Sequence, residues 1–231
     1  IFDLMKENTL DKDFSNFPSL IHQAALAPHL DGESLNQICD AALHFNFAAI
    51  CTNLLQIPRA RKRLGSNLNT KLIAVISFPF GNTPSFLKRQ QAEWAIDQGA
   101  EQLDVAPNFF YLNKSEVDQF AEDLSIICEL GIPVRSIIDI SNLSKEKLSL
   151  AVNASIEAGV YGIQTGNGFG SPISCAQVKE LFNLVKDRCK IKSVGSIKTL
   201  QHSIDLIEAG SSEIGTSMGA SIMKELKSKN Q

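Results

Sequence analysis

A short apolar strand running into a glycine-rich loop delivers its last side chain into the space the loop encloses, and Y-G-I-Q-T-G-N-G-F-G, Tyr161 to Gly170, is such a junction. The delivered side chain is Gln164. Its amide can hydrogen-bond a carbonyl or a hydroxyl, but it has no amine to form an imine and no useful basicity near neutral pH. Comparable junctions put His22, Asn53, Ser77, Asp104, Asp139 and Lys192 at strand ends. Gathered in one mouth, a lysine, two carboxylates, a histidine and two amides make a polar site suited to proton transfer, beyond what core packing requires. Asp104 stands out among them, because a carboxylate in such a mouth is costly unless it is used or paired.

Two further junctions, I-K-S-V-G-S-I-K-T (Ile191 to Thr199) and S-E-I-G-T-S (Ser212 to Ser217), turn on glycine. Backbone N–H groups at such turns form an anion cradle. Here Gly195, Ser196 and the cation Lys198 stand in one turn and Gly215, Thr216 and Ser217 in the other, which points to a phosphate group. In the plainer reading the glycines only permit tight turns.

These residues have to be positioned by something, and the pattern between them says what. Apolar runs without polar alternation alternate with helical periodicities at Ser34 to Phe45, Pro84 to Gln98, Val117 to Leu130, Lys145 to Ala158, Cys175 to Lys186 and Leu200 to Ala209. Gly99, Gly131, Gly159 and Gly210 read as helix stops. With a first strand at Leu20 to Gln23, eight βα units predict a closed (β/α)8 TIM barrel in one domain spanning residues 1–231, with working residues at the C-terminal strand ends. An open doubly wound sheet is the competing architecture, but the G-x-G-x-x-G turn that would favour it is absent. Residues 1–18 read as an N-terminal extension packing on the barrel, and residues 225–231 as a fraying tail. Trp94 reads as an anchor between its helix and the barrel.

Composition bounds the function classes. The hydrophobic fraction of 44% and charged fraction of 20% fit one globular domain able to bury a core. A net charge of −3 argues against nucleic acid as the main partner. The basic run Arg59 to Arg63 reads as a solvated helix face, and no apolar run has the length of a membrane span. The five cysteines show neither C-x-x-C pairs nor metal-like spacing with histidine, so no metal or cofactor is expected, and the expected compartment is the reducing cytoplasm. Nothing in the residues names the partner face of a homodimer or of another protein.

The chain resembles the deoxyribose-phosphate aldolases from about Leu20 to Ile222. L-I-H-Q-A-A-L-A-P looks like the opening motif of that family. A-A-I-C-T-N, V-I-S-F-P-F-G, L-D-V-A-P-N, T-G-N-G-F-G, I-K-S-V-G-S-I-K-T and I-G-T-S are similar to its later signatures. The resemblance implies a metal-free barrel lyase that makes or breaks a carbon–carbon bond through a lysine Schiff base. It further implies that the imine-forming lysine falls on Gln164, the second lysine on Lys192 and the acid/base aspartate on Asp104. His22 stands where the family has an aspartate, and Ala27 where it has a lysine. Three readings stay open: a barrel that binds a small phosphorylated sugar or aldehyde without aldol cleavage, an enzyme that is either a lyase forming its imine on Lys192 or one doing acid/base chemistry such as isomerisation at Asp104 and His22, and a scaffold whose mouth binds nothing.

Overall fold

The computed structural model describes residues 16–66, 69–113 and 115–229. Eight parallel strands follow one another around a closed barrel: β1 (Ile21–Ala25), β2 (Ala49–Thr52), β3 (Lys71–Ile76), β4 (Gln102–Val105), β5 (Val134–Ile137), β6 (Gly162–Gln164), β7 (Lys190–Val194) and β8 (Glu213–Thr216). β8 pairs back onto β1, so there is no open edge, and the expected (β/α)8 architecture is the one found. The outer layer comprises α1 (Gly32–Phe45), α2 (Ile57–Leu64), α3 (Ser85–Asp97), α4 (Phe109–Asn113), α5 (Val117–Cys128), α6 (Lys145–Glu157), α7 (Cys175–Val185), α8 (Leu200–Glu208) and α9 (Gly219–Lys229).

Local chemistry sets the helix ends. Asp31 accepts the Ser34 N–H at the start of α1, Ser144 and Thr199 do the same for α6 and α8, and Ser174 with Gln177 forms a reciprocal capping box on α7. The four glycines read as helix stops all adopt positive φ, the conformation a helix-ending residue needs. Most apolar side chains pack between barrel and helices in one continuous core.

The barrel interior is divided. β2 and β3 fill one side with Ala49, Cys51, Ile73 and Val75, which form their own apolar cluster under Leu26 and Phe78. The remaining strands place buried His22, Asp104, Arg135, Gln164, Lys192 and Glu213 on the other side.

Four outer features differ from expectation or qualify it. Trp94 is not an anchor: it is 40% exposed, and the inner face of α3 is taken by Lys88, Ala92 and Ala95. The Lys88 ammonium can be buried there because Asp123 faces it at 2.5 Å and the Ala106 carbonyl accepts from it at 3.0 Å. The chain beyond Lys224 remains helical to Lys229, since Leu226 is buried and Lys227 lies over the Phe45 ring. On α2 the basic run is matched by carboxylates, Arg61 with Glu101 at 3.0 Å and Arg63 with Asp40 at 2.5 Å. Of the N-terminal extension, residues 1–15 lie outside the described residues, and Phe17 is buried.

Candidate functional site

Strand register brings the charged residues together. Asp104 on β4 is paired with Arg135 on β5, Gln164 on β6 with Lys192 on β7, and Lys192 in turn with Glu213 on β8. Lys192 Nζ donates to Asp104 Oδ2 at 2.5 Å, and Arg135 Nη1 approaches Asp104 Oδ1 at 3.4 Å. The other edge of the Arg135 guanidinium clamps Glu213 through two bonds of 2.6 and 2.8 Å. Two carboxylates and two cations therefore neutralise one another inside the barrel, which is what makes their burial tolerable.

The electrostatics follow from this chain of contacts. Burial would push the Asp104 carboxyl up, but Lys192 and Arg135 outweigh it and hold the pKa below the usual carboxylate range. His22 is pushed the other way: burial first, then the positive charges of Lys192 and Arg135, hold its pKa well below 6.5, so the ring is neutral. Its Nε2 lies 3.9 Å from Glu213 Oε1. The Cys51 thiol donates to Asp104 Oδ2 at 3.5 Å, and burial raises its pKa to about 12, which makes it a thiol and not a nucleophile.

Above the network lies a cavity of about 440 Å³ reached from the C-terminal strand ends. His22, Gln164 and Lys192 line its floor, and Gly195, Ser196, Lys198, Gly215, Thr216 and Ser217 line one wall, while Asp104 lies fully buried beneath Lys192 and does not line the cavity. Gly195 and Ser196 both take positive φ, 137° and 50°, which turns the chain sharply after β7. The Thr216 hydroxyl is already spent: it donates to the Ile197 carbonyl at 2.7 Å and accepts from Met218 N–H at 2.9 Å. It braces the wall, and the cavity-facing hydroxyls are left to Ser196 and Ser217.

The Gln164 amide is oriented by a single contact, Nε2 donating to the Gly166 carbonyl at 2.7 Å. Its Oε1 and the Nδ1 of His22 are buried with no hydrogen-bond partner among the described residues.

Not every strand-end residue reaches this space. Ser77 turns away into bonds with Thr83 and Gln91, Asp139 binds Asn142 beside a separate crevice, and Asn53 opens the turn after β2. His22 and Lys192 sit mid-strand, not at strand ends. The sequence reading missed Arg135 and Glu213. Each is a charge inside an otherwise apolar strand run, V-R-S-I and E-I-G-T, and that mismatch was the available signal. Among the described residues no group of three or more His, Cys, Asp or Glu side chains is arranged to hold a metal, and no helix is long and apolar enough to cross a membrane.

No family model matches the chain. Individual relatives do. A deoxyribose-phosphate aldolase of Microcystis aeruginosa is 33% identical over 208 residues, covering 90% of this chain and 92% of the relative. One of Thermococcus kodakarensis is 31% identical over 210 residues, covering 88% and 94%. Among solved structures, the aldolase QR15 superposes with a TM-score of 0.88 at 29% identity, covering 92% of this chain and 96% of its own. The tetrameric deoxyribose phosphate aldolase from Aeropyrum pernix gives 0.85 at 25% identity, covering 94% and 93%.

Proposed function

The chain belongs to the deoxyribose-phosphate aldolase family, and from that premise we propose that it binds a small phosphorylated sugar or aldehyde in the barrel mouth without forming a Schiff base with it. The observation that carries the reading is the identity and setting of residue 164. By the family resemblance this β6 position holds the imine-forming lysine, and here it holds an amide bonded to Gly166. Lys192, beside it in register, is engaged with Asp104 at 2.5 Å. An amine must be free to attack a carbonyl, and the Lys192 Nζ is instead taken up in its hydrogen bond to Asp104. Glutamine at position 164 offers no second amine to take the role.

The retained half of the site supports binding. Ser196, Ser217 and Lys198 converge on the cavity wall with two glycine turns, the arrangement that holds phosphate in barrels of this type. Self-association of the chain, by analogy with the tetrameric relative, belongs to the same proposal and is read by sedimentation.

The test is borohydride reduction in the presence of deoxyribose 5-phosphate or acetaldehyde, followed by intact-mass measurement, alongside a titration with inorganic phosphate. The reading expects saturable phosphate binding, weakened at least tenfold in Ser196→Asp by like-charge repulsion, and no mass adduct. An adduct that disappears in Lys192→Ala would instead make the protein a lyase working through the second lysine.

A further inference from the structure

We propose that the mouth selects a hydroxyl-bearing phosphate, either a polyol phosphate or a ring-closed sugar phosphate, over a phosphate carrying a free carbonyl. The inference rests on the phosphate reading above and adds to it the chemistry of the ligand's other end.

The argument begins with the direction of the Gln164 amide. The Gly166 carbonyl can only accept, so the group facing it at 2.7 Å is the amide nitrogen. This places Oε1 on the other side, where it is buried without a partner on a side chain that lines the cavity floor. A buried acceptor left unmet costs free energy, and a donor from the occupant would relieve it. A hydroxyl supplies that donor. A ketone or aldehyde oxygen supplies none and brings a second set of lone pairs toward the first.

His22 asks for the same kind of group. Its ring is buried, and its Nδ1 likewise has no partner. A hydroxyl satisfies either tautomer, since it donates and accepts, whereas a carbonyl satisfies only one. Lys192 can still donate to an oxygen of either kind, so it does not discriminate. At the position where the family resemblance implies an amine that attacks carbonyl carbon, this chain therefore presents an acceptor that rewards the reduced or ring-closed form.

The experiment is calorimetric titration of the full chain with two compounds that differ at one carbon, sn-glycerol 3-phosphate with a secondary alcohol and dihydroxyacetone phosphate with a ketone. Glycerol phosphate is expected to bind about tenfold more tightly, the worth of one satisfied buried acceptor. In Gln164→Met, which keeps the volume and removes the amide, the preference should shrink to within about twofold while both compounds still bind. Equal affinities in the wild-type protein, or tighter binding of the ketone, overturn the inference and leave the phosphate reading standing. If neither compound nor inorganic phosphate binds, the phosphate reading falls and takes this inference with it. The wild-type comparison decides the matter even if the variant fails to fold.

Discussion

At the scale of single residues, the proposed function turns on one side chain and its neighbour across the β6–β7 register. An amine placed at position 164 sits beside the Lys192 cation in register, and like-charge repulsion favours the free amine on the introduced side chain. Gln164→Lys is therefore expected to trap a borohydride adduct on the introduced lysine and to cleave deoxyribose 5-phosphate measurably. Recovery should be partial, because His22 and Ala27 both line the cavity and both depart from the family pattern, and a group misplaced by about 1 Å costs on the order of a hundredfold in rate. A folded variant that binds phosphate but gives no adduct would show a mouth remodelled beyond one residue. His22 makes a second, independent prediction. Its folded pKa lies well below 6.5, so between the two values the unfolded chain holds the extra proton. Stability is then fully present above about pH 6.5 and falls as the pH drops below it, by at most about 1.4 kcal/mol per unit for this one group. Urea unfolding from pH 7.5 to roughly 5 should show that slope in the wild-type protein and a flatter one in His22→Gln; parallel slopes would remove His22 as the cause.

At the scale of elements, the cavity wall depends on how closely the β7 and β8 turns approach each other. A Cβ built on Gly215 would lie 2.6 Å from Val194 Cγ2 and 2.9 Å from Lys192 Cε, distances that require one of them to move. Gly215→Ala is accordingly expected to cost about 1–3 kcal/mol by overpacking and to displace Lys192 from Asp104. Thermal melting reads the first effect and weakened phosphate binding the second. Unchanged binding would mean that the wall is held from elsewhere. Four of the helices, α1, α6, α7 and α8, start on signals that need no such tertiary information. Their caps at Asp31, Ser144, Ser174 and Thr199 are sequence-local hydrogen bonds, so the periodic stretches read from the sequence agree with the observed helices to within a turn. Trp94 was misread because amphipathic pattern alone does not reveal that a lysine, Lys88, takes the inner face when a partner carboxylate waits on α5.

At the scale of the whole molecule, Arg135 ties β4, β5 and β8 across the barrel by holding Asp104 and Glu213 at once. Arg135→Leu keeps much of the volume but strands the buried Glu213 carboxylate and leaves Asp104 to Lys192 alone. The expected loss is about 3–5 kcal/mol of unfolding free energy in urea, the penalty for breaking a buried ion pair from one side. The loss should ease at acid pH, where both carboxylates can protonate. A variant as stable as the parent at pH 7 would show that the network is dispensable for the fold.

How much of this was legible beforehand follows a physical division. Strand runs buried on both faces, helical periodicity and glycine stops are local or short-range signals, and they determined eight βα units and hence a closed barrel. Family motifs further placed Asp104, Gln164, Lys192 and the two glycine turns. Which of the strand-end residues share a space was decided only by tertiary structure. Side-chain direction depends on register and shear, quantities set by closure of the whole sheet, so Ser77 and Asp139 turn away while His22, mid-strand, lines the cavity. Arg135 and Glu213 were hidden for the same reason: they lie 78 residues apart in the chain, and a buried charge makes sense only when the strand that neutralises it has been brought alongside.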